Sequence, residues 1–386
     1  MRLVVIGPTF PYRGGISHYT TLLVQHLRTS HEVQFYSFTR QYPDWLFPGR
    51  SDRDPSQQPL HVPCEYLLDP LNPATWIRTA RRIAQDKPDA LILQWWVPYW
   101  APAFATIAFL VRKFLSIKVL FICHNVMPHE TMGLSSLLAR LTLRQGHSFI
   151  VHSEKDFVDL RRLLPDAQIR KTMHPTYEAF ALGQSYPEDA KQALKLTGNV
   201  VLFFGFVREY KGLEYLLHAM PKVLEVVQAQ LLVVGEFWEN KVQYLSLIDE
   251  FQIADHVTIV DRYIPNEEIG GYFSAADVVV LPYVDATQSG VIQLAFGFTK
   301  PVITTNVGGL AEVVKDGETG FVVPPRDSDA LADSIIRYFQ ESLTLPFQNN
   351  IEQSKARFDW EKLIELIEVL IQDRVQNLDP GPVTNS

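Results

Sequence analysis

Short runs of β-branched and other apolar residues recur along the chain, and longer stretches with apolar positions every three to four residues lie between them. The first half offers LVVIG (3–7), EVQFYSF (32–38), ALILQW (90–95), KVLFIC (118–123) and SFIVHS (148–153). The second offers VVLFFGFV (200–207), QLLVVG (230–235), HVTIV (256–260), DVVVLPY (277–283), PVITT (301–305) and GFVVP (320–324). Such alternation predicts α/β domains in which parallel sheets are covered by helices on both faces. Residues 181–199 mix Gly, Pro and polar residues without a strong period, as a connection between two domains would. The division read from this is a first doubly wound domain over 1–185 and a second over 186–360. Segments 327–341 and 360–375 look amphipathic, with Leu363, Ile364, Ile367, Leu370 and Ile371 on one face. A helix over 361–375 is expected to pack back towards the first domain, with 376–386 as a flexible tail.

At 386 residues the chain is long enough for two domains. With 47% hydrophobic and 20% charged residues it has the composition of a globular protein. Cys64 and Cys123 are too few for a disulfide framework or a four-thiolate zinc site, and they suggest a reducing compartment. MRLVVIGPTF lacks the basic segment, long apolar core and cleavage site of a signal peptide, so a cytoplasmic location is expected. LILQWWVPYWAPAFATIAFLVRK (91–113) has the length of a membrane span, but Pro98 and Pro102 interrupt it and it reads as a buried strand and helix.

Charge is unevenly spread. Residues 1–180 hold 20 Lys and Arg against 14 Asp and Glu, a net +6, whereas the remainder holds 15 against 29, a net −14. The basic half points to an anionic partner or an anionic membrane surface, through Arg78, Arg81, Arg82, Arg112, Lys113, Lys118, Arg140 and Arg144. Trp95, Trp96, Tyr99 and Trp100 add an aromatic element to that reading, and solvated helix faces are the alternative. No nucleic-acid module accompanies the charge.

Ligands of doubly wound sheets bind at the carboxyl ends of the strands, so chemistry is sought there. After LVVIG, Gly14 and Gly15 in PTFPYRGGISHYT open a helix and let backbone amides approach a phosphate. The spacing is not GxGxxG, so no nicotinamide fingerprint is present. KVLFIC ends in HNVMPHE, placing His124 at a strand end, where imidazole can orient groups or exchange protons. His129 and Glu130, further along, assist it or cap the loop. In FFGFVREYKGLEYLL, Arg208 and Lys211 make a compact positive site before a helix, suited to two adjacent phosphates. Ser289, Gly290 and Val291 stand at another helix start whose free amides suit phosphate oxygens. The Gly308–Gly309 pair follows a further strand end.

In this order the motifs RGGISHY, CHN, GFVREYKGLEYLL, AADVVVLPY and KPVITTNVGGLAEVVKDGETGFVVP resemble glycosyltransferase family 4 over nearly the whole chain. The resemblance implies a GT-B fold, two Rossmann-like domains facing a central cleft, with an N-terminal acceptor domain and a C-terminal donor domain. It implies a retaining, metal-independent glycosyltransferase that uses a nucleotide-diphosphate sugar as donor substrate and needs no other cofactor. Expected partners are the nucleotide sugar, a glycan or lipid-linked acceptor of polysaccharide biosynthesis, and peripheral contact with an anionic membrane. Gly14 and Gly15 would border the donor diphosphate, Arg208 and Lys211 would neutralise it, and Ser289, Gly290 and Val291 would complete the cradle. His124 would lie beside the donor sugar. The family's paired glutamates fall here on Ala286 and Leu294, which removes two acceptors for donor hydroxyls, and Asp285 is one position out of place.

By the same resemblance the acceptor attacks the face from which the diphosphate leaves, and a phosphate oxygen takes its proton. Charge on the leaving group would be stabilised by preorganised donors in a dry cleft. Alanine at Arg208 or Lys211 is expected to cut transfer by on the order of 10²-fold or more. Alternatives are a nucleotide-sugar epimerase, a phosphorylase, and a catalytically silent sugar-nucleotide-binding partner of another transferase.

Overall fold

Apolar strand residues pair as parallel ladders in two separate sheets. The first comprises β1 (Arg2–Ile6), β2 (Glu32–Phe38), β3 (Glu65–Leu68), β4 (Ala90–Trp95), β5 (Lys118–Cys123), β6 (Ser148–Val151) and β7 (Gln168–Lys171), in the order β3-β2-β1-β4-β5-β6-β7. The second comprises β8 (Asn199–Phe204), β9 (Ala229–Val234), β10 (Val257–Val260), β11 (Val278–Leu281), β12 (Val302–Thr305) and β13 (Gly320–Val323), in the order β10-β9-β8-β11-β12-β13. β3 and β7 have no counterpart in the sequence reading. Each is a four-residue edge strand: QIRK has one apolar residue, the buried Ile169, and in EYLL only Leu68 is buried. This computed structural model describes residues 1–43, 45–47, 49–127, 133–183 and 185–372; His129, Glu130 and the expected tail lie outside them.

Both faces of the central strands are buried, which is why their sequences are continuously apolar. Leu3 and Val5 of β1 pack on one side with Leu23, while Val4 and Ile6 pack on the other with Phe104. In β8, Val200 and Leu202 separate in the same way from Val201 and Phe203. Each such side chain, fully buried, contributes about 1.5–3 kcal/mol.

The helices that bear on function are α1 (Gly15–Leu27), α2 (Ala101–Leu115), α3 (Leu134–Leu143), α4 (Leu213–Val226), α5 (Gly290–Gly297) and α6 (Trp360–Gln372). The apolar stretch 91–113 divides between β4 and α2, and among the described residues no helix is long and apolar enough to cross a membrane. Trp95 and Trp100 are 0% and 1% exposed and belong to the core under α2. This corrects the reading that these rings face a bilayer. The exposed large apolar residues of α2 and α3 are instead Phe109, Phe114, Leu115, Leu137 and Leu141.

The chain leaves the first domain near Thr176 and returns near Phe358. The two passages are bonded to each other, Thr176 N–H donating to Phe358 O (3.1 Å) and Trp360 Nε1–H to Thr176 O (3.0 Å). Beyond the return, α6 lies against α1 and β5. Lys118 Nζ donates to Ile371 O (2.6 Å), and His31 Nε2 stands 2.8 Å from a Glu368 carboxylate oxygen.

The strand order reverses between β1 and β4 in one sheet and between β8 and β11 in the other. Crevices for ligands open at such reversals. The loops after β1, β8 and β11 therefore define where the site has to be.

Candidate active site

A cleft of about 340 Å³ opens between the carboxyl ends of the two sheets, and its walls are more apolar than polar. Gly14, Gly15, Lys211, Ser289, Gly290 and Val291 all line it. Ala286 and Leu294, the positions without the paired carboxylates, line it as well.

On the second-domain wall, β8 ends at Phe204 and the chain turns through a short 3₁₀ segment, Glu209–Lys211, into α4. Gly212 makes this turn possible: its φ is +68°, and a Cβ there would stand 2.0 Å from the Pro282 carbonyl oxygen that follows β11. The close approach of the two strand-end loops sets Lys211 in the cleft at 8% exposure, its Nζ 5.3 Å from the centre of the Tyr283 ring. Among the described residues no carboxylate or carbonyl pairs with this ammonium. Burial lowers its pKa, Arg208 adds to the lowering, and Tyr210 opposes it. A buried, unpaired ammonium is a costly group that an anionic ligand would relieve.

α5 begins beside it. Ser289 is the N-cap residue but makes no side-chain cap bond, its Oγ reaching instead towards Tyr283 Oη (3.5 Å). The first-turn amides of Gly290 and Val291 are left without helical acceptors, and they face the cleft at the positive end of the helix dipole. Behind them Gly309 N–H donates to Thr287 O (2.8 Å), so the Gly308–Gly309 pair buttresses the wall.

On the first-domain wall, Gly14 (φ +110°) caps α1 without a side chain, and its N–H donates to Tyr263 Oη across the cleft (3.3 Å). Tyr177, from the passage between domains, donates its hydroxyl to Gly15 O (3.2 Å) and approaches His174 Nε2 (3.3 Å). Glu236, after β9, is the one acidic side chain among the described lining residues. It pairs with Arg13 from the other domain at 2.7 Å, both side chains being under 5% exposed, and accepts from Arg50 N–H (2.6 Å).

His124 and Arg208 are not among the lining residues. His124 is buried behind the wall: its Nε2 bonds Gln94 Oε1 (2.8 Å), its ring meets the edge of Tyr19, and its carbonyl accepts from the lining residue Gln288 (3.0 Å). Burial, with His152 and His174 nearby, holds its pKa well below the usual imidazole value. Arg208 has extended backbone at the start of the 3₁₀ turn, and its Nε donates to Glu239 (3.3 Å) while the guanidinium covers the Tyr210 and Trp238 rings. Asp285 pairs with Lys155 of the first domain (3.2 Å) and also stands outside the lining.

Sequence reasoning missed His18, Tyr177, Glu236 and Tyr263. Glu236 follows Gly235 at the end of β9, so the strand-end rule was the available signal for it. Tyr177 and Tyr263 sit in connecting segments with no motif of their own, and only the meeting of the two domains brings them to the cleft.

Two family models match the chain, "Glycosyl transferase 4-like domain" over residues 14–170 and "Glycosyl transferases group 1" over 198–341. A GDP-mannose-dependent alpha-(1-6)-phosphatidylinositol monomannoside mannosyltransferase of Mycolicibacterium smegmatis is 25% identical, the match covering 86% of this chain and 87% of that protein. An uncharacterized glycosyltransferase of Methanocaldococcus jannaschii is 30% identical over 37% of this chain and 36% of its own length. Against several other curated relatives the matched part is about half of their length or less. Among solved structures, Anabaena HepE in complex with UDP-glucose superposes with a TM-score of 0.73 at 17% identity, covering 95% of this chain and 98% of that one. The architecture is thus that of the GT-B fold.

Proposed function

Since this chain belongs to the glycosyltransferases, with a 4-like domain followed by a group 1 domain, we propose that its cleft binds a nucleotide-diphosphate sugar and transfers the sugar with retention of configuration. The acceptor is a hydroxyl of a glycan, a lipid-linked sugar or a related molecule. The observation that carries this reading is Lys211: a buried ammonium without a partner among the described residues, facing the uncapped start of α5. The matched mannosyltransferase and the HepE complex, whose names specify GDP-mannose and UDP-glucose, support a donor of this class.

As the glycosyl phosphate bond breaks, negative charge grows on the leaving diphosphate. The Lys211 ammonium and the amides of Gly290 and Val291 would stabilise it in a largely apolar cleft, in the role a divalent cation serves elsewhere. A phosphate oxygen on the face of departure takes the acceptor proton. Gly14 and Gly15 border the diphosphate from the opposite wall, and His124, neutral and buried, supports the sugar subsite through Gln288. Thermal shift against a panel of nucleotide sugars tests donor binding, and transfer assays with the stabilising donor test turnover. Binding at a hundredfold excess over Kd adds about 2.7 kcal/mol, so stabilisation by no member of the panel counts against the reading.

Ala286 and Leu294 favour a second reading, a sugar-nucleotide-binding partner without turnover, because neither side chain can accept a donor hydroxyl. Donor binding with neither transfer nor hydrolysis would select it.

For the location of the acceptor, the α2–α3 surface supports contact with an anionic bilayer. Phe114 is 69% and Leu137 53% exposed, Arg112, Lys113 and Arg140 lie on the same helices with Arg144 just after the second, and neither helix contains an acidic residue. Apolar insertion combined with basic flanks is the usual physics of peripheral binding. Flotation with anionic liposomes at low salt should recover the protein, and Phe114→Ser with Leu137→Gln should abolish recovery. No flotation of the unaltered chain would refute the contact.

A further inference from the structure

With Arg208 drawn aside to Glu239, Lys211 and helix amides face a diphosphate that carries at least two negative charges. His18 offers a further cation from the first domain. It lies on the first turn of α1, and helical side chains tilt towards the N-terminus of their helix, which brings the ring back to the Gly14–Gly15 start. The ring lines the cleft, with Phe180 beside it at 4.9 Å between centres.

Its Nε2 is buried without a hydrogen-bond partner and stands 3.9 Å from Asp54 Oδ2, too long for a hydrogen bond but within ion-pair range. Among the described residues no hydrogen bond takes Nδ1. Asp54 is 3% exposed at its side chain and is fixed by Ser56, whose N–H donates to Oδ1 at 2.9 Å. Burial works to raise the Asp54 pKa, yet His18 and Ser56 outweigh it and the net direction is down.

Resting on the reading of the cleft as a diphosphate site, we propose that His18 and Asp54 form a proton-coupled anion clamp: His18 protonates as the donor diphosphate binds and neutralises it from the first domain. The ring then lies between two anions, Asp54 and the diphosphate. The other titratable or charged groups of the cleft are Lys211, Arg262 and Glu236, with Tyr177, Tyr210, Tyr263 and Tyr283. Arg262 is already paired with Glu268, and Glu236 with Arg13. A phosphate contact from histidine is charge-assisted only in the protonated form, so affinity carries the titration of the ring.

The experiment is isothermal titration of the full chain with UDP, GDP and ADP in buffers of different ionisation enthalpy, at about pH 6 and about pH 8.5, which bracket the titration of an imidazole. Proton uptake on binding is expected in the unaltered chain beyond that of the nucleotide itself. His18→Gln should remove that excess and weaken binding about tenfold at the lower pH, with little change at the higher one. His18→Lys should bind without the excess uptake and hold its affinity at the higher pH. Asp54→Asn should reduce uptake and shift the loss of affinity to lower pH. Excess uptake that persists in His18→Gln, or a loss of affinity equal at both pH values, overturns the clamp while leaving the cleft assignment standing. Binding of none of the three nucleotides by the unaltered chain overturns both.

Discussion

Two groups of basic side chains lie near strand ends on either side of the cleft, and both are removed from water. On the first-domain side, His124, His152 and His174 surround Tyr19. Each ring has a neutral partner: Gln94 for His124, Thr172 O and Tyr19 Oη for His152, Pro175 O and Tyr177 Oη for His174. On the second-domain side, Lys211 has an aromatic face and no hydrogen-bonding partner among the described residues. Burial is common to both, so it does not separate a structural base from one that serves a ligand. Partners do: each histidine ring has at least one neutral hydrogen-bond partner, and the lysine ammonium has none among the described residues.

Acid should break the comparison most strongly. Burial lowers the pKa of His152 to about 4 and that of His174 to about 3, and charge repulsion between the rings adds to the lowering at His174. Unfolded imidazoles titrate near 6.5, so between these values the unfolded chain binds more protons and stability falls as pH falls. The expected loss is on the order of 2 kcal/mol for each ring by about pH 5. Urea melts across that range test it, and a flat stability would mean that the rings are hydrated or already charged.

Lys211→Ala should leave the fold intact and cut transfer by about 10²-fold, the scale of losing one transition-state donor. Turnover near that of the unaltered enzyme would remove the lysine from the mechanism. Its lowered pKa gives a direction as well: activity held by the ammonium persists at lower pH and is lost as pH rises through a pKa below the ordinary lysine value. A fall of kcat/KM on the alkaline side that disappears in the alanine variant would identify the group.

Smaller effects sharpen the picture. Gly290→Pro deletes one amide at the first helical position, after extended Ser289, and should weaken donor binding about tenfold. Arg208→Ala should cost only about two- to fivefold, the scale of a partly exposed ion pair, well short of the 10² expected from sequence alone. Steady-state kinetics on the pair Arg208→Ala and Lys211→Ala rank them directly, and equal losses would show that Arg208 leaves Glu239 in the donor complex.

How much of this was legible in the sequence follows from where each signal resides. The apolar runs gave eleven strands because both faces of the central strands are covered, whereas β7 has one apolar residue and β3 offers only the short run YLL. That Gly14, Gly15, Lys211 and the 289–291 segment would come to one cleft was legible because they follow strand ends of doubly wound sheets. Arg208 does not line the cleft beside Lys211 because spacing of three along the chain does not fix direction: it precedes the 3₁₀ turn with extended backbone, while Lys211 closes it. Tyr177 and Tyr263 come to the cleft only through the meeting of the two domains, whereas Glu236, two residues past the end of β9, was open to the strand-end rule.

The bonds among Thr176, Phe358 and Trp360 bear on how such a cleft admits its ligand. The outgoing and returning passages of polypeptide are tied side by side and form one bearing between the lobes, and Arg13–Glu236, Lys155–Asp285 and Gly14–Tyr263 tie them again around the cleft. Any widening of the cleft has to break those outer ties. The Trp360 indole, stacked on His26 and bonded to Thr176, thus joins the bearing to the helix whose other end borders the cleft.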